Sequence, residues 1–233
     1  MSEIESEYTH RIRSFIRRQG RLTTGQQYAL DNLWEHYVLD PNACYDFTEV
    51  FGRQAPIIVE IGFGNGESLL AMAKANPETD YIGIEVHRPG VGHLLLQLHD
   101  QAINNVRIYC HDAVEILERC IHDNSLYGVQ LFFPDPWHKT RHHKRRIVRP
   151  SFIALLTQKL QAQGYFHVAT DWENYAEQIL ALLSADPNFS NSSLQGDYCP
   201  RPDYRPLTKF ENRGLQLGHG VWDLIFIKNG KVD

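Results

Sequence analysis

The sequence predicts an α/β fold whose core is a mostly parallel β-sheet. Strand-sized apolar runs alternate along the chain with segments of helical pattern, which is the order of repeated βαβ units. A glycine-rich loop directly follows the first run, and single acidic residues close several of the later ones. Because ligands bind beyond the carboxyl ends of the strands in such sheets, the pattern also predicts where a functional site lies.

The predicted strands are short apolar runs bounded by turn-forming residues: 57–61, 81–85, 106–110, 128–133, 165–169 and 221–227. Helical patterns cover 68–74, 93–101, the segment after Asp112, 152–160 and a segment that runs to Leu183. Asp112 with Glu115, and Thr170 with Glu173, have the spacing of helix capping boxes. A proline-rich loop, 200–206, precedes the last strand.

Length and composition exclude several classes of protein. The apolar stretches are far shorter than the roughly 20 residues of a membrane span, and the N-terminus lacks the apolar run of a secretory signal. The cysteines have no close pair, which favours reduced thiols and a cytoplasmic protein: Cys44, Cys110, Cys120 and Cys199. The 12 histidines form no cluster with ligand spacing, so no metal site is predicted.

Basic residues are concentrated in two segments of a chain whose formal net charge is −5. One lies in the N-terminal arm, and its arginines are Arg11, Arg13, Arg17, Arg18 and Arg21. The other contains Lys139, Arg141, Lys144, Arg145, Arg146 and Arg149. Local cationic patches on an acidic body are typical of selective phosphate binding. For the N-terminal arm, an exposed tail is an equally good interpretation.

The first chemical motif is Glu60-Ile-Gly62-Phe-Gly64-Asn-Gly66, directly after a predicted strand. Its glycines let the backbone turn sharply and let a ligand approach the main chain. Glu85, at the end of the next strand, is placed to accept hydrogen bonds from the hydroxyls of a ribose. Asp112, after the third strand, either reaches an adenine or only caps a helix.

Two cofactors compete for this motif. A nicotinamide dinucleotide site usually has the spacing Gly-x-Gly-x-x-Gly, and its pyrophosphate disfavours an acid in the loop. Here the spacing differs, and Glu60 precedes the glycines. A carboxylate in that place suits a cationic ligand, so the motif favours S-adenosylmethionine.

The second chemical motif is Phe133-Pro134-Asp135-Pro136-Trp137, followed at once by the second basic segment. The two prolines fix a turn at a strand end, but a turn does not require a carboxylate. One acid beside a dense cationic loop indicates chemistry on a polyanion.

These motifs resemble the bacterial tRNA (guanine-N7)-methyltransferases. The resemblance extends to 138–146, to Ala169-Thr-Asp171-Trp-x-x-Tyr175 and to Thr208-Lys-Phe-Glu-x-Arg-Gly214. It implies a Rossmann-like class I methyltransferase fold with a mostly parallel seven-stranded sheet, helices on both faces and an antiparallel C-terminal strand. Residues 51–233 would then be the catalytic domain, preceded by a basic arm and a leading helical segment, 1–50, that is partly flexible.

The resemblance also implies an activity: methyl transfer from S-adenosylmethionine to guanine 46 in the variable loop of tRNA. It assigns to the cofactor Glu60, Gly62, Gly64, Gly66, Glu85, Asp112 and Asp135, the last being also the catalytic acid. It assigns to the substrate guanosine Lys139, Asp171, Thr208, Lys209, Phe210 and Glu211. It assigns to RNA Arg141, His142, His143, Lys144, Arg145 and Arg146. The expected partner is tRNA, with no membrane and no obligate protein partner, for a monomer or a homodimer.

The chemistry has its own argument. Guanine N7 carries a free lone pair at neutral pH, so attack on a sulfonium methyl group needs positioning rather than a strong base. A carboxylate such as Asp135 would stabilise the charge that develops on the purine. Asp171 or Glu211 would select guanine by accepting from N1–H and the exocyclic amine. Asp171 is also well placed as a helix cap.

Two alternatives remain open. Asp-Pro-Pro-aromatic loops serve amino methylation of adenine in related folds, and 134–137 resembles such a loop in shuffled order. The segment Thr208–Gly214 favours guanine N7 instead. A non-catalytic RNA-binding protein would leave Glu60, Glu85 and the glycine loop without a purpose.

Overall fold

A seven-stranded β-sheet forms the centre of the molecule. The computed structural model describes residues 12–15, 20–208, 211–212 and 220–230. The strands are β1 (Ile57–Ile61), β2 (Asp80–Ile84), β3 (Val106–Tyr109), β4 (Leu126–Phe132), β5 (Leu160–Thr170), β6 (Phe189–Asn191) and β7 (Trp222–Lys228). Their order is β3-β2-β1-β4-β5-β7-β6. The first five are parallel, and β7 is antiparallel to both β5 and β6. The predicted mostly parallel sheet with an antiparallel C-terminal strand is confirmed.

Helices cover both faces of this sheet. They are α1 (Thr24–Asn32), α2 (Trp34–Tyr37), α3 (Phe47–Phe51), α4 (Glu67–Ala75), α5 (Arg88–Asp100), α6 (Ala113–Cys120), α7 (Pro150–Lys159) and α8 (Glu173–Ser184). A 3-10 helix spans Thr140–Arg145. One apolar cluster includes residues of α1, α4 and α5, and a second includes residues of α6, α7 and α8. Within the described residues, no helix is long and apolar enough to cross a membrane.

The central strands are buried along almost their whole length. All residues of β2 are buried, and only Ile57 of β1 is partly exposed. A parallel sheet that is covered on both faces selects such continuous apolar runs. Each aliphatic side chain buried there contributes about 1.5–3 kcal/mol to stability. Helix α1 contributes to this core as well, because its buried Ala29 and Leu30 belong to one of the two apolar clusters.

The predicted helix caps have mixed outcomes. Asp112 is the N-cap of α6 and accepts a hydrogen bond from Val114 N at 2.9 Å. Glu115 does not close a capping box, because its carboxylate contacts His111 Nε2 at 2.7 Å. The cap predicted at Thr170 is wrong. Thr170 ends β5, and α8 begins after Trp172, which makes no side-chain capping bond.

Candidate active site at the carboxyl ends of the strands

The predicted acids meet at one edge of the sheet. The glycine loop follows β1, Glu85 follows β2, Asp112 follows β3, and Asp135 and Asp171 lie just beyond β4 and β5. Because these five strands are neighbours and parallel, their carboxyl ends share that edge. The order of connection reverses between β1 and β4, which is where open α/β sheets bind ligands.

A cavity of about 540 Å³ opens at this point. It is lined by Gly62, Gly64, Glu85 and Asp135, so the structure brings the glycine loop and the two strand-end acids to one space. This volume is within the range of about 300–1,000 Å³ for ligand pockets. The cavity is also lined by residues for which no site role was predicted, among them Ser14, Phe15, His87 and His111.

The glycines of the loop serve two different purposes. Gly62, Gly64 and Gly66 have φ angles of 72°, 59° and 79°, a region that favours glycine. A Cβ atom at Gly62 or Gly64 would meet nothing within 4 Å, so both leave open space beside the cavity. A Cβ at Gly66 would lie 2.7 Å from Leu94 Cδ1, so Gly66 instead lets the loop pack closely on α5.

Glu85 is held rigidly by backbone donors. Its Oε2 accepts from Gly64 N at 2.9 Å, and its Oε1 accepts from Val86 N at 2.7 Å and His87 N at 2.9 Å. These bonds connect the glycine loop after β1 to the end of β2. Oε1 already accepts two hydrogen bonds, but Oε2 accepts one and keeps a further lone pair, so Glu85 can still accept from a ligand hydroxyl at the cavity wall.

Glu60 lies in β1, two residues before Gly62, and is only 2% exposed. Its Oε2 atom is buried without a hydrogen-bond partner among the described residues. Burial, and then the charge of Glu85, raises the pKa of Glu60 to about 8. A buried carboxyl with spare acceptor capacity fits a cationic ligand, whose charge would favour the ionised form. The donor set, with Glu85 and the open glycine backbone, fits S-adenosylmethionine.

Asp112 has the helix-capping role already described. It is 6% exposed, and its neighbours His111 and Ala113 line the cavity. A cofactor contact by Asp112 remains a prediction.

Asp135 is an exposed residue of a turn that stands in an unusual backbone conformation. Phe133 and Trp137, on either side of it, have φ angles of 52° and 50°. Such conformations cost about 1–3 kcal/mol each in non-glycine residues and persist only where surrounding contacts impose them. Contacts on both sides hold the turn. Phe133 N donates to Ala169 O at 2.8 Å, and Trp137 Nε1 donates to Ser14 O at 3.2 Å.

The predicted guanosine residues fall into two groups. Asp171 lies close to the Asp135 turn, because the His138 and Trp172 rings pack with their centroids 4.2 Å apart. Lys139 is exposed at the start of the 3-10 helix. Asp171 is not the N-cap residue of α8, which weakens the interpretation that it is only a cap.

The second group lies on the loop before β7. Thr208 Oγ1 accepts from Glu211 N at 3.1 Å. Glu211 is 3% exposed, and its two carboxylate oxygens accept from Arg205 at 2.6 and 2.8 Å. Glu211 is therefore anchored by a buried ion pair that the sequence pattern did not indicate. Lys209 and Phe210 lie outside the described residues.

The predicted RNA-binding run is mostly accessible, with one exception. Arg141 and Lys144 are exposed, and His142, His143 and Arg145 are half-buried. Partial burial and the surrounding cations, Arg141 first among them, lower the pKa of His142, so His142 adds little to the positive charge of this surface. Arg146 is only 1% exposed. A side chain so deeply buried is not exposed to a phosphate in this structure, so an RNA contact by Arg146 stays a prediction that its burial disfavours.

Known proteins are similar to this chain over most of its length. A family model described as "putative methyltransferase" matches residues 54–224. The tRNA (guanine-N(7)-)-methyltransferase of Shewanella amazonensis is 59% identical over 221 residues, which cover 94% of this chain and 92% of the relative. That of Yersinia enterocolitica is 59% identical over 220 residues, which cover 93% and 91%.

Solved structures share the fold. A 16S rRNA methyltransferase, KamB, superposes with a TM-score of 0.59 at 12% identity, covering 81% of this chain and 95% of the other. The 16S rRNA (adenine(1408)-N(1))-methyltransferase of Catenulisporales acidiphilia gives 0.55 at 14% identity, covering 84% and 94%. At these identities the likeness concerns the fold alone. The relatives at more than half identity establish the family, and the chain belongs to the tRNA (guanine-N(7)-)-methyltransferases.

Proposed function

We propose that this chain transfers a methyl group from S-adenosylmethionine to N7 of guanine 46 in the variable loop of tRNA. The observation that carries the proposal is that Asp135 lines the same cavity as Gly62, Gly64 and Glu85. The names of relatives that match more than nine-tenths of the chain support the same reaction. The proposed catalytic unit is 51–233, with residues 1–50 leading into it.

The cofactor would occupy the cavity and supply an electrophilic methyl group on a sulfonium. Gly62 and Gly64 leave room for it beside the backbone. Glu85 is oriented by three backbone donors to accept from ribose hydroxyls. Glu60, neutral at pH 7 in the free protein because its pKa is about 8, would ionise beside a bound cation. Gly66 and Asp112 are further proposed cofactor residues, in addition to the packing of Gly66 on α5 and the capping of α6 by Asp112.

The guanine would lie between the turn at Asp135 and the segment at Asp171. N7 attacks without prior loss of a proton, so the residues of the chain need to orient the base and tolerate a cationic ring. Asp135 would stabilise that charge electrostatically. Asp171 would accept from N1–H and the exocyclic amine, an edge that adenine does not offer. Lys139, Thr208, Lys209 and Phe210 are proposed contacts of the guanosine.

Glu211 would support this arrangement from its ion pair with Arg205. Both of its carboxylate oxygens already accept from the guanidinium, and each retains a lone pair for a further donor. The proposed RNA contacts are those that the structure leaves accessible or half-buried: Arg141, His142, His143, Lys144 and Arg145.

The test is transfer of labelled methyl groups from S-adenosylmethionine to unmodified tRNA, with nucleoside analysis of the product. The control is the same tRNA with another base in place of guanine 46. We expect 7-methylguanosine from the intact tRNA only. Label on a different base would instead support the alternative of another nucleobase methyltransferase. Absence of label in the presence of measured cofactor binding would contradict the proposal.

A further inference from the structure

Arg146 differs from every other basic residue of the run at 139–146 because its guanidinium is buried. Nε donates to the carbonyl of Pro136 at 2.8 Å, Nη2 donates to Asn174 Oδ1 at 3.0 Å, and Nη1 donates to Gln178 Oε1. The planar fork therefore joins the turn that contains Asp135 to two side chains of α8. The Tyr175 ring lies beneath it, 4.6 Å from the guanidinium carbon.

Among the described residues, the hydrogen-bonding partners of Arg146 include no carboxylate: besides Pro136, Asn174 and Gln178, only His143 Nε2 lies close, 3.1 Å from Nη2. Within the part of the chain that the structure describes, no carboxylate forms an ion pair with it. Burial lowers the pKa of Arg146, which reflects the cost of removing a charge from water. A guanidinium bound by carbonyl and amide oxygens, an imidazole nitrogen and the face of a ring keeps its hydrogen bonds but has no carboxylate as a counter-charge. These hydrogen bonds fix the orientation of the guanidinium group, and no ion pair within the described residues contributes to them.

The carbonyl that Arg146 binds belongs to the residue directly after Asp135. The Asp135 carboxylate accepts no hydrogen bond from any described residue, so its position depends on the backbone of the turn. That backbone has two residues with positive φ, Phe133 and Trp137, and requires outside contacts to hold it. On the inner side of the turn, Arg146 supplies such a contact.

We propose that Arg146 is a positioning residue, which fixes Asp135 by binding the Pro136 carbonyl to α8, and not a contact of RNA. This inference rests on the proposed function, since its consequence is measured on methyl transfer. A displacement of the turn by about 1 Å would cost as much as a hundredfold in rate if Asp135 acts on the reacting base.

Three variants separate positioning from RNA contact. Arg146→Lys keeps the charge, but its three donors share one nitrogen and lack the planar fork that spans Pro136, Asn174 and Gln178. Arg146→Met removes the charge. Gln178→Leu removes one acceptor and leaves every cation in place. The readouts are kcat at saturating cofactor and tRNA, the Kd of tRNA at several salt concentrations, and the thermal midpoint.

We expect Arg146→Lys to lower kcat by about ten- to a hundredfold, with the tRNA Kd and its salt dependence unchanged. Gln178→Leu should lower kcat in the same direction. Arg146→Met should leave the salt dependence of tRNA binding at the wild-type slope. Arg141→Met, which alters an exposed member of the same run, should weaken tRNA binding and reduce that slope.

Wild-type kcat in Arg146→Lys would overturn the proposal, and so would a reduced salt slope in Arg146→Met. If Arg146→Met does not fold, the other two variants still decide. Failure of the proposed function can be distinguished from failure of the proposal for Arg146, because in the first case the wild-type protein itself would form no 7-methylguanosine.

Discussion

At the scale of single residues, Glu60 is the most perturbed acid of the candidate site. Its pKa is about 8, against an ordinary value of 4.5, because it is buried and because the charge of Glu85 lies near it. Between those two pH values the folded chain holds a proton on Glu60 that the unfolded chain has released. The free protein therefore has a neutral carboxyl group at Glu60, and we propose that this group ionises when the cationic ligand binds.

This difference predicts how stability depends on pH. Because the native state binds more protons than the unfolded state, the contribution of Glu60 to the free energy of unfolding falls as pH rises from about 4.5 to about 8. Glu60→Gln removes that fall. Urea unfolding at pH 5, 6.5 and 8 should show the variant gaining stability relative to wild type as pH rises. Glu35→Gln, an exposed control, should follow the wild type. A constant difference between wild type and Glu60→Gln would contradict the prediction.

Asp135 gives a second prediction at this scale. Asp135→Asn keeps the shape of the side chain and removes its charge, so it should lower kcat about 10²- to 10³-fold if that charge stabilises the cationic purine. Most of the tRNA affinity should remain, because the basic surface is intact. The measurement is single-turnover methyl transfer with bound tRNA. The matched control is Asp100→Asn, at the exposed end of α5. Full activity in Asp135→Asn would remove Asp135 from the mechanism.

At the scale of elements, a buried polar network attaches Arg205 and Glu211, which precede β7, to the sheet. Arg205 binds Glu211 within the loop and also Asp223 of β7, at 2.7 and 2.9 Å. Burial alone would raise the pKa of Asp223, but hydrogen bonds from His167 and Arg205 hold that pKa below its ordinary value. Burial lowers the pKa of His167, so the neutral ring donates from one nitrogen to Asp223 and accepts from the Tyr204 hydroxyl at the other, 2.9 Å away.

This network predicts a large loss of stability in Arg205→Met. Glu211 and Asp223, 3% and 2% exposed, would become buried carboxylates without a counter-charge. Removing one partner of a buried ion pair costs about 3–5 kcal/mol. Urea unfolding monitored by circular dichroism measures the change. Arg201→Met, an exposed arginine of the same loop, should cost less than about 1 kcal/mol. Equal effects from the two variants would show that the network does not anchor the loop.

The elements also show what the sequence can and cannot predict. The parallel strands were predictable within a few residues, because a sheet buried on both faces needs continuous apolar runs. The strand Phe189–Asn191 has three residues, too few for any periodic signal. A leading helical segment was predicted within 1–50 but without bounds, although Thr23 and Gln26 form a capping box ahead of buried Ala29 and Leu30, a signal for α1 that the sequence does contain.

The candidate site divides in the same way. The grouping of the acids at the strand ends was predictable, because neighbouring parallel strands bring their carboxyl ends together independently of the loop conformations. The cavity residues Ser14 and His111 were not, since only tertiary packing brings them to the glycine loop. The burial of Arg146 was not predictable either, because a run of basic residues gives no sign of which member turns inward.

At the scale of the whole molecule, charge is separated between an acidic body and a local cationic surface. The chain has 23 lysine and arginine residues against 28 acidic residues. Yet the segment 139–146, which follows the Asp135 turn, contains no acid and has three exposed cations: Lys139, Arg141 and Lys144. An acidic body repels RNA except where this surface faces it, so the separation would orient the tRNA as well as bind it.

This separation of charge predicts that tRNA binding weakens with salt and that the cations of this surface determine the slope. Each phosphate contact contributes roughly one unit or less to the slope of log K against log salt. Arg141→Met and Lys144→Met should each reduce the slope by about that amount and weaken binding of all tRNAs alike, since phosphate contacts carry no base preference. Filter binding from 50 to 300 mM KCl measures both quantities. Lys74→Met removes a positive charge from helix α4, outside this surface, and should change neither the slope nor the affinity. Equal slopes for Arg141→Met, Lys144→Met and the wild type would mean that tRNA approaches a different face, and the N-terminal arginines would then be the next to replace.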